Sequence, residues 1–282
     1  MNIKIIGKYI ITLLLFAACR GEQKSTPNLK VVQPLPAKTS VIFYGDTRGG
    51  HAVHRKLVQL FLQNKPLAIF HSGDLVFDAR IPLLWDTFFT VTKPMCDSFP
   101  FYAANGNHEH GFENITKHLP KLTKEWYLVT INDINVFVLN TASPLNKNSK
   151  QYNWLDSSLT AVKNPKALNI LMFHYPLFST GHHGLSDSKT FRADIIKLCE
   201  TRNVKLVFNG HDHDYERTLL NGINYVVAGG GGAPLGGQST SNPNSVIFKE
   251  KYCFCRLYKV NNKWTVDTID ENGQVYDIFT VN

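Results

Sequence analysis

The sequence predicts an α/β fold that closes in a β-rich tail, on three observations. Short apolar runs alternate with stretches whose apolar residues recur at helical spacing. From Val246 onward residues alternate in character instead, with turn signals at Asn261-Asn262 and Asn272-Gly273. Finally, one apolar run after another stops at Gly-Asp, Asn or His: Gly45-Asp46, Gly73-Asp74, Gly106-Asn107-His108-Glu109, His174 and Gly210-His211-Asp212-His213. In open α/β sheets functional groups gather beyond the carboxyl ends of strands, and a core strand gains nothing by ending in Asp or His.

The elements follow in order. Residues 41–44 read as a strand. Residues 51–63 read as a helix, with Val53, Leu57, Leu60 and Phe61 on one face. A second strand over 67–71 stops at Gly73-Asp74, a helix covers 83–91, and a short strand over 99–104 stops at Asn105-Gly106-Asn107. A hairpin joins 126–131 to 136–140 through Asn132-Asp133. A helix over 154–162 leads to a strand over 168–173 that stops at His174. A helix over 191–201 leads to a strand over 204–208 that stops at Gly210-His211, and 224–228 is a further strand.

A chain of 282 residues that is 43% apolar and 18% charged can bury a substantial core, which excludes a disordered protein. The first residues stand apart. Lys4 and Lys8 precede an apolar stretch over 10–16 and then Ala17-Ala18-Cys19, the layout of a secretory signal and too short for an ordinary membrane span. Leu15-Phe16-Ala17-Ala18-Cys19 also resembles a bacterial lipobox, with Phe16 where Leu is more usual, which implies a lipid on Cys19 after cleavage. Pro27, Pro34 and Pro36, with few apolar residues around them, suit a tether. The expected organisation is therefore a lipoprotein-type signal over 1–18, a tether over 19–39 and one domain over 40–282. The expected location is periplasmic, or anchored at the outer membrane or cell surface through Cys19.

The net charge of +8 is scattered singly along the chain, without a basic helix or long basic run. Nucleic-acid binding therefore has little support and is not expected. The excess suits anionic substrates or anionic lipid surfaces, but a solvated surface with spare lysines is the better reading of it. Cys96, Cys199, Cys253 and Cys255 show no metal or redox spacing and read as buried thiols.

Each polar cluster has a plain and a chemical reading. Gly-Asp is common in turns, but Asp46 and Asp74 follow two successive buried strands, and a carboxylate can bridge two cations. Asn107 offers a neutral carbonyl oxygen, and His108 beside it can stabilise charge on a phosphoryl oxygen or protonate a leaving group; the plain alternative is a polar loop with an Asx-turn. His211 and His213, two residues apart after a strand, can address two neighbouring metals. His174 alone fits a structural role as well as a ligand. One of the pair in His182-His183-Gly184 could reach a substrate; the plain alternative is an exposed loop. Gly229 to Gly232 lacks the following Lys-Ser/Thr and helix of a P-loop and reads as a flexible or tightly packed loop.

In this order the clusters resemble the calcineurin-like metallophosphoesterase superfamily. The run His211-Asp212-His213-Asp214-Tyr215-Glu216-Arg217, with His174-Tyr175-Pro176 and His183-Gly184, resembles its purple acid phosphatase branch, and the likeness spans about residues 41–233. The resemblance implies a four-layer α-β-β-α sandwich of two mixed sheets flanked by helices, with a metal site at the strand C-terminal ends. It implies two divalent or trivalent ions, Asp74 bridging them, Asp46 and His213 on the first, and Asn107, His174 and His211 on the second. His108 and His183 would then act on the phosphate or leaving group, and a hydroxide held by the ions would attack phosphorus. The mixed oxygen and nitrogen donors suit Mn, Fe or Zn. The substrate would be a phosphorylated small molecule or envelope component, monoester or diester; a non-catalytic phospho-ligand-binding lipoprotein is the alternative. Two positions depart from the pattern. Arg48 stands where many members have a histidine, and Phe77 where the purple branch has a tyrosine, and both would have been ligands of the first metal. Arg48 fits either a bidentate phosphate contact or a structural ion pair.

Overall fold

The computed structural model describes residues 30–31 and 39–281; the expected signal and most of the expected tether lie outside the described residues. The chain runs β1 (Lys30–Val31), β2 (Ser40–Tyr44), α1 (His51–Asn64), β3 (Ala68–His71), α2 (Pro82–Ser98), β4 (Phe101–Ala103) and α3 (Phe112–His118). It continues through β5 (Tyr127–Ile131), β6 (Ile134–Val138), α4 (Lys150–Thr160), β7 (Leu168–Met172), α5 (Arg192–Thr201), β8 (Val204–Asn209), β9 (Tyr215–Leu220) and β10 (Ile223–Ala228). It closes with β11 (Ser245–Lys249), β12 (Cys253–Val260), β13 (Lys263–Asp270) and β14 (Gln274–Val281).

The strands form two mixed sheets, β1-β14-β13-β12-β2-β3-β4 and β11-β9-β10-β8-β7-β6-β5. In the first, β2, β3 and β4 are parallel. In the second, β6, β7, β8 and β10 are parallel. Side-chain alternation builds the layers. Along β2, Val41 and Phe43 point between the sheets, while Ile42 and Tyr44 point outward to Leu57, Phe61, Val91 and Met95 of α1 and α2. On the second sheet, Leu171, Phe173 and Val207 face Leu155 and Leu159 of α4 and Ile195 and Leu198 of α5. The result is the expected four-layer sandwich. Phe43 ties its middle together: its ring stacks on Phe70 of its own sheet at 5.2 Å and on Phe208 of the other at 4.1 Å. Burying one such ring stabilises by about 1.5–3 kcal/mol.

The differences from the sequence reading are local. Helix α2 runs past the expected end at Val91 and through Pro94, because Met95 completes its buried stripe. Strand β9 was hidden because two of its core positions are charged. Glu216 is buried and accepts bonds from Thr180 and Ser245, and Arg217 pairs with Asp277 at 2.7 Å. Helix α3 is short and carries little apolar pattern. The alternating tail is antiparallel as expected, but it divides: β11 joins the second sheet beside β9, whereas β12 to β14 complete the first. Lys30–Val31, inside the expected tether, pairs with the first sheet at Gln274 and Val275. All four cysteines of the described residues are free thiols. No helix among the described residues is long and apolar enough to cross a membrane.

Candidate metal centre

The parallel strands of both sheets end at one edge of the sandwich, and the loops that follow them meet there. They are bonded to one another through the backbone. The Asp46 and Thr47 N–H groups donate to the carbonyls of Gly73 and Asp74, Gly210 N–H donates to His174, and Gly231 N–H donates to Gly45. The approach leaves no room for side chains: a Cβ on Gly106 would stand 2.3 Å from Asp74 Oδ1, and one on Gly210 would stand 2.2 Å from Asp46 Oδ2. The 229–232 glycines form the tightly packed alternative, with the Gly231 Cβ position 2.1 Å from the Gly45 carbonyl. Asp46, Asp74 and His211 all hold left-handed backbone, with φ of 61°, 59° and 75°. Such strain in non-glycine residues costs on the order of 1–3 kcal/mol each and collects at functional sites.

All six residues expected as metal ligands come together here. Asn107 Oδ1 lies 2.9 Å from His174 Nε2 and 3.2 Å from His211 Nδ1, and His174 Nε2 lies 3.4 Å from Asp74 Oδ1. The other ring nitrogens fix the tautomers. His174 Nδ1–H donates to the Ser72 carbonyl at 3.1 Å, and His211 Nε2–H donates to Asp187 Oδ2 at 3.0 Å. In these tautomers His174 Nε2 and His211 Nδ1 turn lone pairs toward the Asn107 amide. Burial holds both rings below the usual histidine range, His211 down to about 2. Side-chain O and N atoms about 3 Å apart have the spacing of neighbouring ligands about 2.1 Å from a shared cation. Carbonyl and carboxylate acceptors behind ligating histidines are the usual support of a metal site. This donor set fits a metal ion.

A second set adjoins it. Donor atoms of Asp46, Asp74 and His213 lie within 4.8 Å of one another. His213 Nδ1–H donates to the Pro234 carbonyl at 2.7 Å, leaving Nε2 free to face the carboxylates. Burial takes His213 down to about 4, and burial with the nearby Asp74 raises Asp46. Arg48 enters this set. Its Nε donates to Asp74 Oδ2 at 3.2 Å and its Nη2 to His213 Nε2 at 3.1 Å. Of the two readings of Arg48, the ion pair is present. Its guanidinium carbon lies 5.9 Å from the Phe77 ring centre.

His108 and His183 stand at the rim. His108 Nδ1–H donates to the Phe77 carbonyl at 2.5 Å, and its Nε2 faces Asp74 Oδ2 at 3.8 Å. His183 lies with its ring centre 4.3 Å from that of His211. Its backbone N–H donates to Asp212 Oδ1 at 2.7 Å.

Three residues were given no role by the sequence reading. Glu109 is fully buried and accepts the N–H groups of Asp74 and Gly106 on Oε2, at 2.9 and 2.7 Å, and that of Leu75 on Oε1 at 2.9 Å. Burial and the Asp74 charge push it up to about 8, against the pull of these donors. Its place within Gly-Asn-His-Glu was the available signal. Asp212 binds Ser179 and His183 and so fixes the rim loop. Asp187 orients His211 from an exposed loop whose sequence carries no motif.

The chain belongs to the calcineurin-like phosphoesterase family, whose pattern it matches over residues 39–215. Within that family it is similar to "Probable inactive purple acid phosphatase 1" of Arabidopsis thaliana, 25% identical over 263 residues that cover 76% of this chain and 43% of that one. It is similar to "Nucleotide pyrophosphatase/phosphodiesterase" of Hordeum vulgare, 24% identical over 262 residues, 76% of this chain and 71% of that one. Its fold resembles purple acid phosphatase PPD1 from yellow lupin seeds, with a TM-score of 0.75 at 22% identity, covering 89% of this chain and 55% of that one. The chain thus spans less than half the length of the Arabidopsis relative.

Proposed function

We propose that this protein hydrolyses phosphoesters with a cation held by Asn107, His174, His211 and Asp74. The observation that carries the reading is the convergence of the Asn107 amide oxygen with ring nitrogens of His174 and His211 whose other nitrogens are bonded elsewhere. The resemblance adds a second cation among Asp46, Asp74 and His213. A bound metal supplies polarisation of the phosphoryl oxygen and lowers the pKa of a water toward about 7. The donors are nitrogen and oxygen without thiolate, which favours Mn, Fe or Zn.

The chain's own residues do the rest. Asp187 and the Ser72 carbonyl keep the two imidazoles in the ligating tautomer. His108, anchored through Nδ1, presents Nε2 toward the site, where its protonated form donates to a phosphoryl oxygen or to the leaving group. His183 on the exposed lip meets the far side of the substrate. Arg48 uses Nε and Nη2 within the protein, which leaves Nη1 for a phosphoryl oxygen.

The substrate is a phosphorylated small molecule or envelope component, with diesters, including those of nucleotides, as the alternative to monoesters. The cell location follows from the lipobox-like Leu15 to Cys19, which would anchor an exported protein to a membrane. The second reading is a phospho-ligand binder without turnover, favoured by the ion pair that Arg48 makes inside the first ligand set. The experiment is turnover of aryl phosphate mono- and diesters by the metal-loaded protein, beside Asn107→Ala and His211→Ala. A drop of about 100-fold or more in either variant is expected. Equal rates in all three would end the assignment.

A further inference from the structure

We infer that the Arg48 guanidinium takes the place of the first cation, so that this chain holds one metal ion and a fixed organic cation where the resemblance implies two metals. The inference rests on the metal-dependent reading above and concerns how its charge is supplied.

The two ligand sets differ in one respect. Around Asn107 the amide oxygen faces one ring nitrogen each of His174 and His211, and among the described residues no Arg or Lys side chain donates to them. Around His213 a cation is already present. Arg48 donates to the Nε2 lone pair of His213 at 3.1 Å and to Asp74 Oδ2 at 3.2 Å, two of the atoms a first metal would need. The Asp74 carboxylate is divided accordingly: Oδ1 faces His174 and the second set, and Oδ2 faces Arg48. A metal entering the first set would have to break both bonds and place a divalent charge against a guanidinium that cannot lose its proton.

Both departures from the family pattern act in the same direction. Position 48 exchanges a neutral ligand for a cation. Position 77 exchanges a phenol for a phenyl ring, which lies beside the guanidinium and, although exposed, gives it an aromatic face. Neither Arg48 nor Phe77 offers a lone pair to a metal, so Asp46, Asp74 and His213 are left as the whole first set. An arginine also differs from a metal in what it does: it can clamp an anionic phosphoryl group, but it cannot make a bound water acidic. One side of the site is then built to activate and the other only to hold.

The test is metal stoichiometry, which is independent of turnover. The full chain, Arg48→His and Arg48→Gln are loaded with Mn(II), desalted, and their manganese measured by elemental analysis. Electron paramagnetic resonance then distinguishes isolated ions from coupled pairs. The wild type should retain one ion per chain with a single-ion hyperfine spectrum. Arg48→His should retain two, with an exchange-coupled spectrum. Arg48→Gln keeps the reach without the charge and should also rise above one, so it decides the question if the histidine variant does not fold. Two ions in the wild type would overturn the inference and leave the metal-dependent reading standing. One ion in all three proteins would also overturn it, by taking the block away from Arg48. No retained manganese in any of them would remove the metal-dependent reading itself.

Discussion

Glu109 touches none of the atoms expected to hold a metal, yet its removal should weaken the site and the fold together. Its carboxylate is the common acceptor of three backbone N–H groups from two loops: Asp74 and Gly106 on one oxygen, Leu75 on the other. Those loops carry Asp74 and Asn107. The side chain is wholly buried, so the donors have no access to bulk water. Leaving a buried donor unpaired costs about 1–3 kcal/mol. With Glu109→Ala all three lose their partner, and a water in the vacated space can recover part of the loss. The net destabilisation should be roughly 3–6 kcal/mol. Above a pH of about 8, where Glu109 is ionised, Glu109→Gln can keep its oxygen on Asp74 and Gly106, but its NH2 then meets the Leu75 N–H, so the cost falls to about 1–3 kcal/mol. Urea denaturation of the three proteins gives the stability order. Calorimetric titration with Mn(II) should show weaker binding in the glutamine variant than in the wild type, because the loops are no longer braced. If Glu109→Ala unfolds within about 0.5 kcal/mol of the wild type, the range ordinary for surface substitutions, the bracing argument is wrong.

Two further outcomes are expected. His54 is buried against Tyr44 Oη at 3.2 Å, and burial, with His51 and Arg55 nearby, takes its pKa down to about 3. The unfolded chain binds the proton near pH 6.5 and the folded one does not, so the neutral His54 contributes stability above pH 6.5 that is lost as the pH falls toward 3. His54→Leu should therefore lose roughly 3 kcal/mol less than the wild type between pH 7 and 4; parallel pH profiles would contradict this. At the other end of the chain, Cys19→Ser should release the protein from membranes into the soluble fraction, and a variant that still sediments with membranes and resists washing would refute lipid anchoring.

Much of the site was legible because its residues follow strands whose pattern is local. Asp46, Asp74, Asn107, His174, His211 and His213 each sit just beyond an apolar run, and all six meet at the edge where those runs end. What could not be read were groups whose meaning depends on a distant partner. Glu109 looked like the end of a motif until its three donors were in view. Asp187 lies in a loop with no pattern and matters only because His211 turns its second nitrogen there. Strand β9 was masked because Glu216 and Arg217 are charged, and charge inside a core is tolerated only where Thr180, Ser245 and Asp277 are brought to meet it.

The sequence alone determined the layered α/β class, the antiparallel tail and which polar residues stand beyond each strand, since these depend on periodicity and on what stands next to each strand. The tertiary structure decided how the tail divides between the sheets, which nitrogen of each histidine is free, and where the Arg48 side chain goes. Position 48 shows the division most plainly. From the sequence it was a missing ligand, equally suited to a phosphate contact or an ion pair. In the fold, the loops after β2, β3 and β8 bring Asp74 and His213 within reach of its guanidinium, and a buried carboxylate takes the nearest cation available to it.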